Sequence, residues 1–258
     1  MTKKTKIILN GCMGRLGIAI SALKHTNCEI IVGVDTANVV TNKNFPIYTT
    51  LNECTAAADV VLDCSSYKAV PAVLEYCIKR KLALVICTTG LTNENYTAIK
   101  AAAQKIAILQ SANMALGINL LMSILQKSAN LLYNSHFDIE ILEKHHNQKK
   151  DAPSGTAIAL ADAINKGLPQ RLDYITDRSP RHEKRTNAEI GIHAIRGGTI
   201  TGEHSVIFAG YNEVIEFNHQ ALSREVFATG ALKAAQFIAK KEKGLFSMQD
   251  VIHDAAKI

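Results

Sequence analysis

The sequence predicts an α/β chain in two halves, a doubly wound parallel sheet followed by an α+β half whose sheet is mainly antiparallel. Three observations carry this. Up to Met114, short continuous apolar runs alternate with amphipathic segments; a glycine-rich turn follows the first run; beyond Met114 the extended runs lengthen and begin to alternate. Continuous apolar runs suit strands covered on both faces, whereas alternation suits strands covered on one.

In chain order, the first half offers strands at 6–10, 29–35, 60–63, 83–86 and 106–110, with helices at 15–24, 67–80 and 93–104 between them. The second half opens with a long helical segment, 117–133, then an alternating strand, 137–145, a polar loop, 146–151, and an Ala-rich helix, 155–166. The stretch 169–186 is charged and holds two of the five prolines, so it reads as a mobile connection. Three extended runs follow, 189–196, 199–208 and 213–219, separated by Gly197-Gly198 and Gly210-Tyr211-Asn212; this reads as an antiparallel meander. The closing helix, 225–243, carries apolar residues at 226, 227, 231, 234, 235 and 238.

Composition narrows the partners. Twenty-nine basic and 23 acidic residues leave a net charge of +6 over 258 residues, compatible with small anionic ligands. The basic residues form only short clusters, there is no Trp, and aromatics make up 5%, which argues against a nucleic-acid surface. No apolar run approaches the roughly 20 residues of a membrane span. The basic N-terminus leads into an apolar stretch of only Ile7 to Leu9, too short for a signal core, so a cytoplasmic protein is expected. The six cysteines (12, 28, 54, 64, 77 and 87) form no C-x-x-C pair and the histidines show no zinc spacing, so structural thiols and no metal are expected.

Gly11-Cys12-Met13-Gly14-Arg15-Leu16-Gly17 follows the first strand and opens a helix. Glycines there allow a tight turn and close approach of a pyrophosphate, which would sit on the helix N-terminus. Asp35 ends the second strand, where a carboxylate can accept from ribose hydroxyls. The order is that of a Rossmann-like dinucleotide site; a tight turn without ligand is the plain alternative. A carboxylate also repels a 2′-phosphate, and Thr36-Ala37-Asn38 supply no cation, although Arg15 or Lys43 could. NADH is therefore expected to serve at least as well as NADPH. Cys87-Thr88-Thr89-Gly90 and Ser111-Ala112-Asn113-Met114 follow later strands at the edge where open α/β sheets bind ligands. Each is either a wall for the nicotinamide half or an ordinary exit from a strand.

The most informative stretch runs from Glu140 to Ala157, E-I-L-E-K-H-H-N-Q-K-K-D-A-P-S-G-T-A. It leaves a strand, crosses a cationic loop and enters a helix. Ser154, Gly155 and Thr156 at the helix start offer backbone N–H groups and hydroxyls to a carboxylate or phosphate. His145 can exchange a proton near neutral pH, and Lys149 supplies a cation. Together these describe a site for a small acidic molecule; a solvated His-His loop followed by a helix cap is the alternative.

This block resembles the signature of the 4-hydroxy-tetrahydrodipicolinate reductase family. G-C-M-G-R-L-G at 11–17, I-R-G-G-T-I-T-G-E-H-S-V-I-F at 195–208 and G-L-F-S-M-Q-D-V at 244–251 are similar to other parts of that family, so the likeness spans nearly the whole chain. The resemblance implies NAD(P)H-dependent reduction of a cyclic imine dicarboxylate in lysine and diaminopimelate biosynthesis. By motif position, it implies His145 as the acid/base residue with Lys149 as its partner. It implies His146, Ser154, Gly155 and Thr156 on the substrate, and Gly11, Cys12, Met13, Gly14, Arg15, Leu16, Asp35, Cys87, Thr88, Thr89, Ser111, Ala112, Asn113 and Met114 on the cofactor. It further implies a dinucleotide-binding domain over 1–114, completed by a helix returning at 224–258, a substrate and oligomerisation domain over 115–223, and a homotetramer. The chain departs from the family pattern at Asp63-Cys64-Ser65-Ser66-Tyr67, at Cys87 where glycine is usual, and at Met114 where Phe is common. Another two-domain NAD(P)-dependent amino- or keto-acid dehydrogenase, or a non-catalytic dinucleotide-binding protein, are the competing readings.

Overall fold

The computed structural model describes residues 3–24, 27–36 and 43–255. In chain order the elements are β1 (Thr5–Asn10), α1 (Arg15–Ala22), β2 (Cys28–Val34), β3 (Ile47–Tyr48), β4 (Val60–Asp63), α2 (Val70–Arg80), β5 (Ala83–Ile86), α3 (Asn93–Ala102), β6 (Ala107–Gln110) and α4 (Leu116–Asn134). There follow β7 (Asp138–His145), α5 (Gly155–Lys166), β8 (Asp173–Ile175), β9 (Glu189–Arg196), β10 (Glu203–Gly210), β11 (Glu213–Gln220), α6 (Glu225–Ile238), β12 (Gly244–Phe246) and α7 (Met248–Ala255). The chain divides into two compact units, Met1–Leu116 with Arg224–Ile258, and Gly117–Ser223.

The first unit is a seven-stranded parallel sheet in the order β12-β6-β5-β4-β1-β2-β3. Its central strands are mainly apolar because both faces are covered, with polar residues toward their ends. Ile7, Leu9, Leu62, Val85 and Leu109 join one core with Ile20 of α1, Ala228, Ala231 and Ile238 of α6, and Val251 of α7. Ile8, Val61, Leu84, Ile86 and Ile108 join the other with Val73 and Leu74 of α2 and Ile99 of α3. Truncating one of the buried Ile or Leu side chains to Ala would cost about 2–5 kcal/mol. Strand order reverses between β1 and β4, the point at which open α/β sheets leave a crevice beyond the strand ends.

The second unit is a five-stranded sheet, β11-β10-β7-β9-β8. Along β7, Ile139 and Ile141 are buried and alternate with half-buried Asp138, Glu140 and Leu142. Ile139 stands in register with Ile190 and Phe208, and Ile141 with Ile192 and Val206, all of them buried, while α5 contributes buried Leu160, Ala161 and Ile164. Ser154 caps α5, its Oγ accepting the Ala157 N–H at 3.1 Å. At the other end of α5 a Cβ on Gly167 would overlap the Gln126 carbonyl of α4.

The expected antiparallel meander is corrected. β9 and β10 are not neighbours; β7 lies between them, parallel to β9 and antiparallel to β10. The cause is visible at Gly197-Gly198, where the Gly197 N–H donates to the His145 carbonyl at 2.9 Å and the Asn147 N–H donates to Gly198 at 3.2 Å. That turn is bonded to the exit of β7 instead of closing a hairpin. With β8 also parallel to β9, the sheet is mixed, not mainly antiparallel. Nor is 169–186 a bare connection. Residues 173–175 form β8, and Arg178 and Arg185 bond Glu140 at 2.9 and 3.1 Å while Arg178 also bonds Glu189 at 2.9 Å. The last long helix stops at Ile238, five residues before the expected end, and β12 then pairs with β6.

Candidate active site

In the first unit, the residues expected to meet a dinucleotide fall at the C-terminal ends of parallel strands: Gly11 after β1, Asp35 after β2, Cys87 after β5 and Ser111 after β6. Gly11 has φ +78°, and a Cβ there would lie 2.8 Å from the Cys64 carbonyl carbon and oxygen. A Cβ on Gly17 would overlap the Gly11 carbonyl oxygen, so both glycines are required by space, and Gly11 by its conformation as well. Gly14 occupies the N-cap of α1 with no side-chain cap and no acidic residue in the first turn. A helix start without a side-chain cap or an acidic residue fits a pyrophosphate.

The side chains around this turn are held in different ways. The Met13 N–H donates to Asp35 Oδ2 at 2.8 Å, which fixes the carboxylate against the turn. Lys43 Nζ donates to the Cys12 carbonyl at 3.2 Å and Ser21 Oγ at 3.0 Å, and Arg15 is exposed. Ala37 and Asn38, which bear on the 2′-phosphate, lie outside the described residues. Cys12 is buried with its sulfur toward Gly33, so it can offer a ligand only its backbone, while Leu16 is half-buried against the core.

One residue the sequence reading left unused organises the crevice. Asp63, fully buried at the end of β4, accepts from Asn10 Nδ2 at 2.8 Å, Ser65 Oγ at 2.6 Å and Thr88 Oγ1 at 2.7 Å. Thr88 is thus tied inward, whereas Thr89 is exposed. Cys64 and Cys87 stand side by side, and their mutual hydrogen bond, then burial, push the Cys64 thiol well above its ordinary value. After β6, Ser111 Oγ donates to the Asn113 carbonyl and Asn113 Oδ1 accepts the Ala115 N–H, each at 2.9 Å. Ala112 is exposed; Met114 is buried, and its carbonyl lies where a Cβ on Gly230 of α6 would be.

In the second unit, β7 delivers Glu143 and His145 to the same buried face by strand alternation. His145 Nδ1 lies 2.6 Å from Glu143 Oε2. Arg196 of β9 grips both oxygens of Glu143 at 2.7 Å, and the Ser154 N–H donates to Oε1 at 2.9 Å. Ser154 Oγ is 3.1 Å from His204 Nε2, and the His145 and His204 rings meet edge to face at 5.2 Å. Thus β7, β9, β10 and the start of α5 converge on one polar cluster.

Burial is the main influence on its titration. It holds His145 below the ordinary imidazole value against the opposing pull of Glu143, and takes His204 down to about 4. Burial alone would raise Glu143, but bonds from Arg196, His145 and the Ser154 N–H hold it below the ordinary carboxylate range. Lys149 pairs with exposed Asp151 at 2.8 Å, and that bond, with backbone help outweighing burial, keeps Asp151 low. His146 is half-buried at the exit of β7. No neighbour would crowd a Cβ on Gly155, so the first turn of α5 is open there; Thr156 follows it in the same turn. Sequence reasoning missed Glu143, Arg196 and His204; the i, i+2 spacing of Glu143 and His145 was the only local signal. Among the described residues no group of three or more His, Cys, Asp or Glu could hold a metal, and no helix is long and apolar enough to cross a membrane.

Known proteins give this geometry its relatives. Residues 5–114 match the family model described as dihydrodipicolinate reductase, N-terminus, and residues 117–252 match its C-terminal counterpart. The 4-hydroxy-tetrahydrodipicolinate reductase of Caldanaerobacter subterraneus is 48% identical over 249 residues, covering 96% of this chain and 98% of its own. That of Clostridium tetani is 46% identical over 250 residues, covering 96% and 97%. A dipicolinate-bound dihydrodipicolinate reductase from Paenisporosarcina sp. TG-14 shares the fold, with a TM-score of 0.78 at 23% identity over 96% of this chain and 99% of that one. With both halves matched and nearly half of the residues identical to such relatives, the chain belongs to the 4-hydroxy-tetrahydrodipicolinate reductase, or dihydrodipicolinate reductase, family of oxidoreductases.

Proposed function

We propose that the chain reduces 4-hydroxy-tetrahydrodipicolinate to tetrahydrodipicolinate with NAD(P)H, in lysine and diaminopimelate biosynthesis. The observation that carries this is the buried His145, held by Glu143 at 2.6 Å beside the start of α5, in a chain 48% identical to a reductase of that name. The first unit is read as the dinucleotide-binding domain and the second as the substrate and oligomerisation domain.

The nicotinamide cofactor, when bound, supplies a hydride. The backbone of Gly11, Cys12, Met13 and Gly14, with Arg15 and Leu16 opening α1, would hold its pyrophosphate. Asp35 would accept from ribose hydroxyls, and its charge favours NADH at least as much as NADPH. Cys87, Thr88, Thr89, Ser111, Ala112, Asn113 and Met114 would wall the nicotinamide half. In the second unit, His146, Ser154, Gly155 and Thr156 would bind the substrate carboxylates, the last three through the start of α5.

Loss of water from the hydroxylated ring gives a conjugated C=C–C=N system. Were the cofactor's hydride to reach C4, the electron pair would move to the neighbouring enamine carbon, and His145, assisted by Lys149, would deliver the proton there. No metal enters this scheme. A cytoplasmic homotetramer joined through the second-unit sheet completes the reading.

A coupled assay tests it. Pyruvate, aspartate semialdehyde and the preceding synthase generate the substrate, and absorbance at 340 nm follows NADH and NADPH separately. Oxidation that needs the substrate and disappears in His145→Gln is the expected result. Folded protein that binds NADH yet oxidises neither nucleotide would overturn the reading, and sedimentation showing a monomer would remove the tetramer.

A further inference from the structure

The cluster around His145 contains a fully buried carboxylate that the reaction scheme leaves without a part. Glu143 accepts four hydrogen bonds: one from His145, one from the Ser154 N–H and two from Arg196. Arg196 is itself anchored, donating to the Asp151 carbonyl at 2.7 Å and to Ile195 at 2.7 Å. A two-pronged guanidinium fixes both the charge and the plane of the carboxylate.

This fixes the ring as well. An ionised carboxylate can only accept, so His145 Nδ1 carries the proton and the neutral ring presents a bare Nε2. That atom has no hydrogen-bond partner among the described residues, and it stands 3.1 Å from where a Cβ on Gly202 would lie. A larger residue at 202 would crowd the atom that must exchange the proton.

We propose that Glu143, clamped by Arg196 and the Ser154 N–H, is the positioning residue that sets the orientation and tautomer of His145. The proposal rests on the reading of His145 as proton donor. It implies that His145 starts neutral and must take up a proton at Nε2 before it can give one, with Glu143 stabilising the resulting imidazolium. The charged and titratable groups that face the ring are Glu143 from β7, Arg196 from β9, His204 from β10 and Lys149 from the loop after β7. Glu143 favours the protonated ring, whereas Arg196 and Lys149 disfavour it.

The signs make the test two-sided. With ring-labelled histidine in the full chain, the His145 signal is assigned from His145→Gln and titrated by NMR in the wild type, Glu143→Gln and Arg196→Gln. The wild-type neutral ring should show the Nδ1–H tautomer. Glu143→Gln should move the midpoint down by about one pH unit or more and admit the Nε2–H tautomer, because the new amide can donate to Nδ1. Arg196→Gln should move the midpoint up. In the coupled assay Glu143→Gln should lose turnover by about 10²-fold while KM changes far less. An Nε2–H tautomer in the wild type, or a midpoint unmoved in either variant, overturns the proposal. Should Glu143→Gln fail to fold, Arg196→Gln and Glu143→Asp, which keeps the charge and should restore part of the turnover, decide it. The titration reads the ring without substrate, so it stands apart from failure of the reductase reading, which the assay alone reports.

Discussion

The turn after β1 and the turn after β7 both lead a strand into a helix, and they are made by opposite means. The first is made by leaving atoms out. Gly11 and Gly17 have no room for a Cβ, and Gly14 leaves α1 without a side-chain cap. The second is made by filling in charge: Glu143, Arg196, His145 and Ser154 are knotted by bonds of 2.6 to 2.9 Å. A site of the first kind is damaged by one added carbon, and a site of the second kind by one lost charge or proton.

The largest effect is expected at the knot. His145→Gln should lower turnover by about 10²- to 10⁴-fold while NADH affinity, read by fluorescence titration, changes little. Parallel loss of both would erase the distinction between the two sites. Next comes acid stability. His204 titrates near 4 in the folded chain against 6.5 unfolded, so the unfolded state takes up the proton first as pH falls. The stability this buried neutral ring confers is complete above about pH 6.5 and is lost toward pH 4, by about 3 kcal/mol. Melts of His204→Gln against the wild type check this: the variant should lose less on going from pH 7 to pH 4, and identical losses would clear His204 of responsibility.

The glycine turn gives a smaller but cleaner break. Gly11→Ala must place a side chain at φ +78° and 2.8 Å from the Cys64 backbone. It should cost about 1–3 kcal/mol in a melt and weaken NADH binding, with pyridine-2,6-dicarboxylate binding unchanged in calorimetry. Smallest is Asp151→Asn, which removes the partner of Lys149 at an exposed position. Its effect on stability should stay below about 1 kcal/mol in denaturant titration; a larger loss would mean that the Asp151 side chain, and not only its carbonyl, supports the knot.

These two constructions also differ in how far the sequence betrays them. The parallel strands were legible because burial on both faces demands continuous apolar runs: β4 and β5 fall at the expected residues and β1, β2 and β6 within one of them. The glycine turn was legible because its conformational demand is written in the residues that meet it. Strand order in the second sheet was not, since alternation reports which face a residue uses and says nothing about which strand lies beside it. Gly197-Gly198 looked like a hairpin turn, and only its bonds to His145 and Asn147 reveal that it skirts the end of β7. β3, β8 and β12 have two or three residues each and borrow their definition from a neighbour. Glu143 was passed over for a related reason. Its meaning comes from Arg196, 53 residues away, which turns an unfavourable buried charge into a clamp.

The first unit is assembled from residues on either side of the second, and this sets an order of events during synthesis. When residue 223 leaves the ribosome, every residue of the second unit has been made, but the face of the parallel sheet that carries Ile7, Leu9 and Leu62 still lacks Ala228, Ala231 and Ile238. β1 and β4 therefore wait, with one apolar face uncovered, for α6 to be made. A nascent chain stalled between residues 223 and 238 would be the form most exposed to aggregation and to capture by chaperones.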